Sequence, residues 1–202
     1  VLRSIIYRKK TEPKEGESNY DTWTYDYERP ARSAINELAP GNVFYAGGRK
    51  VEIDQVDMDI SQVETWRLCD DCSYMTLVGK EGETPTCPSC GSTMWSDAGQ
   101  KRQMLRMRQV FATKSDRYSR IGDDSDDRDP KFYNTQMMVG VDEHYITDAY
   151  RVDSDEMPFG FEFISRATLR EINFGEKGEI GENVQIAGDE LCRKGFVFCK
   201  NC

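Results

Sequence analysis

The sequence predicts an α+β chain that is mostly β, built of short strands with an embedded four-cysteine zinc ribbon and a few short helices. Three observations predict it. Two CxxC pairs stand 14 residues apart in "RLCDDCSYMTLVGKEGETPTCPSCGSTMW", Arg67 to Trp95. The second half breaks into short extended runs punctuated by Gly and Asp. One early stretch repeats its apolar residues at a helical period.

Taken in order, "VLRSIIYRKK" is an apolar and basic start that passes through the polar loop "TEPKEGESN" into an aromatic run with Tyr20, Trp23, Tyr25 and Tyr27. In "RPARSAINELAPG", Pro30 suits a first helical turn, and Ala31, Ala34, Ile35 and Leu38 fall at i, i+3, i+4 and i+7. Pro40-Gly41 ends that short amphipathic helix. "NVFYAGGRKVEIDQVDM" sets Gly47-Gly48 between two β-forming runs, which predicts a hairpin whose two turn residues need positive φ. After the cysteines, "QMLRMRQVFATKSDRYSR" reads either as a strand with Leu105, Met107 and Phe111 inward or as a helix opened by Ser96 or Asp97, and periodicity does not choose. "GDDSDDRDP" is a loop, and "TQMMVGV", "FGFEFI", "RATLREINFG", "NVQIAG" and "FVFC" read as extended runs. The expected organisation is an N-terminal segment over 1–60, a zinc ribbon over 61–98, and a β-rich domain over 99–202 that enters a second, truncated cysteine site.

Composition narrows the function. A chain of 202 residues that is 38% hydrophobic and 11% aromatic can bury a core, so it is no disordered tail. Its formal charge of -9 and mean hydropathy of -0.72 give a well-solvated surface whose bulk field repels phosphate polymers, so any nucleic-acid contact has to be local. No secretory signal and no apolar run near the ~18 residues of a membrane span are visible, which predicts a cytoplasmic protein with no membrane contact. The chain starts at Val1 and stops at Cys202 inside a motif, so it reads as a piece of something longer.

Seven cysteines, mostly in CxxC pairs, favour metal binding in a reducing compartment over a disulfide framework. Two residues between cysteines let one tight turn present both sulfurs to an ion, and Zn²⁺ takes four such ligands in a tetrahedron. Cys69 and Cys72 make one knuckle, and Cys87 and Cys90 make the other. "YMTLVGKEGE" is expected to form a hairpin between them, turning at Gly79 to Gly82. Four thiolates leave no open position, so this zinc would be structural and not catalytic. A thioredoxin-like redox pair lacks its βαβ context, and a rubredoxin-type iron centre is the rarer use of the spacing. Ser73 stands where a glycine often eases the first turn, and Asp70 and Asp71 add negative charge beside the thiolates. Cys199 and Cys202 form a further CxxC with Cys192 before it. Either a fourth ligand lies beyond residue 202, or Cys199 and Cys202 pair with two ligands outside the sequence and Cys192 is a plain buried thiol. The lone His144 is a less favoured distant ligand.

Charge is segregated. Lys101 to Arg120 holds seven basic residues against Asp116, whereas Ile121 to Glu190 holds six basic and eighteen acidic ones. Lys101, Arg102, Arg106 and Arg108 are the candidate nucleic-acid contacts, since a basic face beside a zinc ribbon can follow a phosphate backbone. The competing reading pairs this run with acids inside the fold. "DDSDDRDP" lacks the sixth-position glycine and twelfth-position glutamate of a calcium loop counted from Asp124. "VDEHYI" has no phosphate loop to accompany it, and one histidine leaves no base–nucleophile pair.

Taken together, "RPARSAINELAPGNVFYAGGRKVEID", "WRLCDDCSYM" with "CPSCGS", "FGFEFISRATLREINFG" and "GFVFCKNC" resemble the C-terminal region of very large superfamily 2 DEAD/DEAH-box helicases of prokaryotes, often found in anti-phage defence systems such as Druantia and DISARM. The resemblance implies a zinc-binding accessory region downstream of two RecA-like lobes, in a hydrolase whose ATP turnover moves or remodels DNA. It carries over Cys69, Cys72, Cys87 and Cys90 as ribbon ligands, and Cys199 and Cys202 as the start of a further metal site. The ATP-binding motifs have no counterpart here, so ATP would belong to motor domains outside these residues. Expected partners are DNA and other defence-system subunits. The alternatives are a non-enzymatic zinc-ribbon scaffold in a multiprotein assembly, and a redox or iron protein.

Overall fold

Side-chain alternation at period two builds the first sheet. In the computed structural model, which describes residues 1–60, 62–79, 84–122, 131–154, 156, 159–177, 184–186, 189–191 and 195–197, β1 (Leu2–Lys9) turns Leu2, Ser4 and Ile6 inward, all buried. β2 (Tyr20–Tyr27) pairs with it antiparallel from Leu2↔Tyr27 to Lys9↔Tyr20. α1 (Ala31–Glu37) follows Pro30, which needs no N–H partner at a helix start. Its apolar stripe runs out into buried Leu38 and Ala39 just past its end. β3 (Val43–Ala46) and β4 (Arg49–Glu52) form the expected hairpin, with Gly47 at φ 58° and Gly48 at φ 71°. Two consecutive positive φ values are what a two-residue turn of this hand demands.

The chain then makes an excursion. β5 (Gln55–Val56) leads away into β6 (Gln62–Leu68), β7 (Met75–Leu77) and β8 (Lys101–Arg106), and the chain returns through β9 (Val110–Ser115). β9 lies between β1, which it meets in parallel from Leu2↔Val110 to Tyr7↔Ser115, and β5, which it meets antiparallel. The sheet order is therefore β2-β1-β9-β5, with a third strand drawn from beyond the cysteines. The excursion is a stalk in which β6 pairs with β8 from Gln62↔Arg106 to Arg67↔Lys101. Leu2, Ile6, Leu38, Phe44, Val51, Ile53, Val56, Val110 and Ala112 form the main core, with Leu105 and Met107 packed against it.

The ambiguous basic segment is thus two strands and not a helix. Leu105 and Met107 face the core as expected, but Phe111 does not. The break between β8 and β9 resets the alternation, so Val110 and Ala112 turn inward and Phe111 is only half-buried. A one-turn helix, α2 (Asp116–Ser119), follows. Its buried Asp116 accepts from Arg49 and Arg120 at 2.7 Å each, and Arg49 also donates to buried Ser119 at 2.7 Å.

The second half is β as expected. β10 (Tyr133–Val141), β11 (Ile146–Arg151), β12 (Gly160–Ile164) and β13 (Ala167–Glu176) form one nested hairpin: β10 pairs with β13 and β11 with β12, all antiparallel. Its base is anchored where Met138 and Phe174 bury against Leu68 and Met75 of the stalk. The Val139 N–H donates to the Ser73 carbonyl at 3.1 Å, and Asn173 Nδ2 donates to the Ile35 carbonyl at 2.8 Å. β14 (Val184–Ile186) and β15 (Asp189–Leu191) pair beyond it. Among the described residues of "FVFC", Phe196 and Val197 carry no strand. Gly195 donates its N–H to the Phe174 carbonyl at 2.6 Å, and a Cβ on Gly175, which sits at φ 103°, would lie 2.6 Å from the Gly195 oxygen.

Candidate metal centre

Two turns of the same construction form the site. The Cys69 N–H donates to the Tyr74 carbonyl at 3.0 Å, and the Cys87 N–H donates to the Ser92 carbonyl at 2.9 Å, so each CxxC is closed by a bond spanning five residues. In the second turn, Gly91 at φ 76° takes the left-handed position and donates to the Cys87 carbonyl at 2.8 Å. In the first, the Tyr74 N–H points at Cys72 Sγ, 3.4 Å away.

The four sulfurs converge. Cys69 Sγ lies 3.6 Å from Cys90 Sγ, Cys72 Sγ lies 3.7 Å from Cys87 Sγ, and all four atoms fall within 4.8 Å of one another. Metal–sulfur bonds of about 2.3 Å in a tetrahedron place the sulfurs about 3.8 Å apart. A disulfide would need about 2.05 Å. The spacing and the all-thiolate donor set therefore fit one metal ion in a closed four-coordinate site, consistent with zinc. Cys69 and Cys87 are buried, Cys72 is half-buried and Cys90 is exposed. Burial pushes the Cys69 and Cys72 thiols up, while the Ser92 backbone holds the exposed Cys90 thiol below its ordinary value. A metal has to displace protons from the two raised thiols, so its affinity rises with pH.

The expected hairpin between the knuckles is not formed among the described residues. β7 pairs back onto β6 instead, from Trp66↔Leu77 to Leu68↔Met75. The physical reason is that the first knuckle already reverses the chain, so the nearest partner for Met75–Leu77 is the strand that delivered Cys69. Gly82 lies outside the described residues.

Sequence reasoning missed the lid over the sulfurs. Trp95, 3% exposed, packs on Cys69 and Cys87, and Tyr74 meets its ring at 5.5 Å. Buried Arg67 donates to the Trp95 carbonyl at 2.8 Å and stands over the ring at 5.5 Å. Ser92 caps the short 3₁₀ turn that carries Trp95 by accepting from the Met94 N–H, and Asp97 caps the 3₁₀ turn after it by accepting from the Gly99 N–H. Gln100 Nε2 donates to the Asp70 carboxylate beside the first knuckle, so one of the two flanking acids is held within the fold. Two short capped turns directly after a CxxC are the signal that could have located Trp95.

The four candidate phosphate contacts are split. Strand alternation sets Arg102 and Arg106 on one face of β8 and Lys101 on the other, and Arg108 lies in the β8–β9 connection. Arg106 and Arg108 are exposed, while Lys101 and Arg102 are half-buried. Arg102 Nε is buried with no hydrogen-bond partner among the described residues. Arg120 is ion-paired with Asp116. Among the described residues, Arg102, Arg106 and Arg108 form no ion pair. His144 stands exposed against Asp142 at 2.9 Å and lies outside the four-cysteine group. Cys192, Cys199, Cys202 and the "DDSDDRDP" loop lie outside the described residues.

These features define a class: a mostly β protein with a four-cysteine group that could hold one metal ion. Comparison of the chain with protein-family models, curated proteins and solved structures finds no match in any of the three. Among the described residues, no helix is long and apolar enough to cross a membrane.

Proposed function

We propose that residues 1–202 are a zinc-braced accessory region of an ATP-dependent DNA helicase or translocase in anti-phage defence, acting by contact and not by chemistry. The observation that carries this reading is the position of the four-cysteine group at the end of the β6–β8 stalk, with Arg102 and Arg106 on one face of that stalk. A closed thiolate site offers no coordination position to a substrate, so its contribution is rigidity. Holding the stalk fixed holds the guanidinium groups at a set spacing, which a phosphate backbone can use. ATP binding and hydrolysis would belong to motor domains outside these residues.

Charge reversal of Arg102, Arg106 and Arg108 together tests it. The expected result is loss of DNA binding and a fall of about three in the slope of log affinity against log salt, one for each phosphate contact removed. Unchanged binding would refute the basic-face role. Metal analysis near one zinc per described site, on a colourless sample, is expected, whereas iron would move the protein to the redox class. The second reading, a scaffold subunit without its own motor, is favoured by the exposed arm described next. Isolation with a stoichiometric protein partner and no DNA affinity would select it.

A further inference from the structure

The β11–β12 hairpin leaves the protein body beyond the anchored β10–β13 base, and of its eleven residues only Ile146 is even half-buried. One face carries Tyr150, Phe161 and Phe163, which are 53%, 50% and 55% exposed. Among the described residues, their rings meet only one another. Tyr150 and Phe161 stack at 5.4 Å, and Phe163 meets both edge-on at 5.9 Å. Pairing Asp148↔Phe163 and Tyr150↔Phe161 puts Asp148 on this same face. Exposed Asp153 and Glu156 stand at the tip, and exposed Asp142 and Glu143 at the base. From Asp142 to Arg166 the sequence holds seven acids against Arg151 and Arg166. Among the described residues each strand pairs on one side only, which leaves two backbone edges open to a further strand.

Three exposed rings attract water-exposed surface of some kind, and the charge around them selects which. Acid on the ring face and at both ends repels phosphate, which disfavours stacking of nucleic-acid bases there. The same acids and ring faces attract ammonium and guanidinium groups. Elsewhere this protein repeatedly sets arginine over its own rings, as in Arg8 on Trp23 at 5.2 Å, Arg29 on Phe44 at 4.9 Å and Arg170 on Trp66 at 4.8 Å. Among the described residues no cation covers Tyr150, Phe161 or Phe163.

We infer that this hairpin is a docking arm for an extended, lysine- or arginine-rich polypeptide segment of a partner protein, which adds a strand to the open edge and lays its cations over the three rings. The acids guide the encounter, and the rings and backbone edge hold the segment. The arm uses no residue of the metal group and none of β8, so it stands whether or not β8 meets DNA.

The test is fluorescence anisotropy of a labelled decapeptide of alternating lysine and valine with the full chain, with a glutamate–valine peptide and an oligothymidylate as counter-probes. Binding of the lysine peptide is expected to fall with salt. It should drop about tenfold on joint Phe161→Ala and Phe163→Ala substitution, the sum of two exposed cation–ring contacts. Because loss of the rings can also open the hairpin, Asp148→Lys with Asp153→Lys provides a second variant that keeps every ring, and it too should lose the peptide. Unchanged lysine-peptide binding in this charge variant overturns the inference. So does equal binding of the glutamate peptide, or oligothymidylate binding that the ring variant loses and the charge variant keeps. The basic-face reading fails separately, through Arg102, Arg106 and Arg108, which these variants leave intact.

Discussion

The protein sends out two hairpin excursions, and they end in opposite ways. The β6–β8 stalk leaves the body at β5 and returns at the neighbouring strand β9. It closes its end with four converging sulfurs and a buried tryptophan. The β11–β12 arm leaves β10, returns at β13, and carries three rings that, among the described residues, pack on each other. Magnitudes explain the difference. A structural zinc site contributes on the order of 10 kcal/mol, whereas an aromatic pair contributes about 0.5–1.5 kcal/mol beyond its area. A metal at the four sulfurs would hold the stalk end from within, whereas the arm has too little internal energy for that and presents its rings outward. The lesson is that aromatic residues alone do not make a core; Trp95 is buried where it packs on Cys69 and Cys87 at the converging sulfurs.

Removing the metal is the strongest way to break this contrast. Cys87→Ser, or exhaustive chelation, should melt β6–β8 and its knuckles, at a cost on the order of 10 kcal/mol to that unit. Metal analysis and amide exchange would show the stalk amides losing protection together. The Val139 amide, bonded to Ser73 of the first knuckle, should follow them, while β1–β2 should retain protection. A variant that keeps both its metal and its melting temperature would remove the brace from the comparison. Trp95→Ala comes next, at about 3–5 kcal/mol for a buried aromatic, read by denaturation and by faster metal release. Release at the parent rate would mean that Trp95 fills space without protecting the sulfurs.

How much of this was legible beforehand follows from which forces are local. Ala31, Ala34, Ile35 and Leu38 announce a helix because the period is written in neighbouring residues. Gly47-Gly48 announces its hairpin because two positive φ values are cheap only for glycine. The ribbon ligands are equally local, since each CxxC is a turn in itself. The pairing of β1 with β9 is not, because Leu2 and Val110 meet through a register that no nearby residue encodes. For the same reason β7 was expected to pair forward and in fact pairs back on β6. Phe111 was misplaced because a break of three residues between β8 and β9 resets the alternation, and a single reading frame cannot anticipate that.

A smaller effect tests the body that both excursions leave. Arg49 and Arg120 hold the Asp116 carboxyl below the usual carboxylate range. A carboxyl whose folded value is depressed binds its proton more readily when unfolded, so its stabilising contribution is complete above the ordinary value of about 3.9 and is lost as pH falls through the folded one. Denaturation midpoints of the parent should therefore decline more steeply below about pH 4 than those of Asp116→Asn, which starts lower at neutral pH. Identical acid limbs would mean that the pair does not bear on folding.

The smallest expected effect falls on the arm, and it sharpens the comparison most. Phe161→Ala with Phe163→Ala removes two large side chains, yet both are about half exposed and neither contacts either core cluster. Such substitutions away from a core usually change global stability by about 0.5 kcal/mol or less. The global midpoint should therefore stay within that margin, while exchange of the β11–β12 amides accelerates, because a two-stranded hairpin is marginal without its cross-strand rings. Equivalent truncation at Met138 and Phe174, three and two residues before the C-terminal ends of the anchoring strands β10 and β13, should instead lower the global midpoint by a few kcal/mol, as buried large-to-small changes do. A large global loss from the ring variant would mean that the rings pack against the body in solution, and the arm would then belong with the stalk as a structural element.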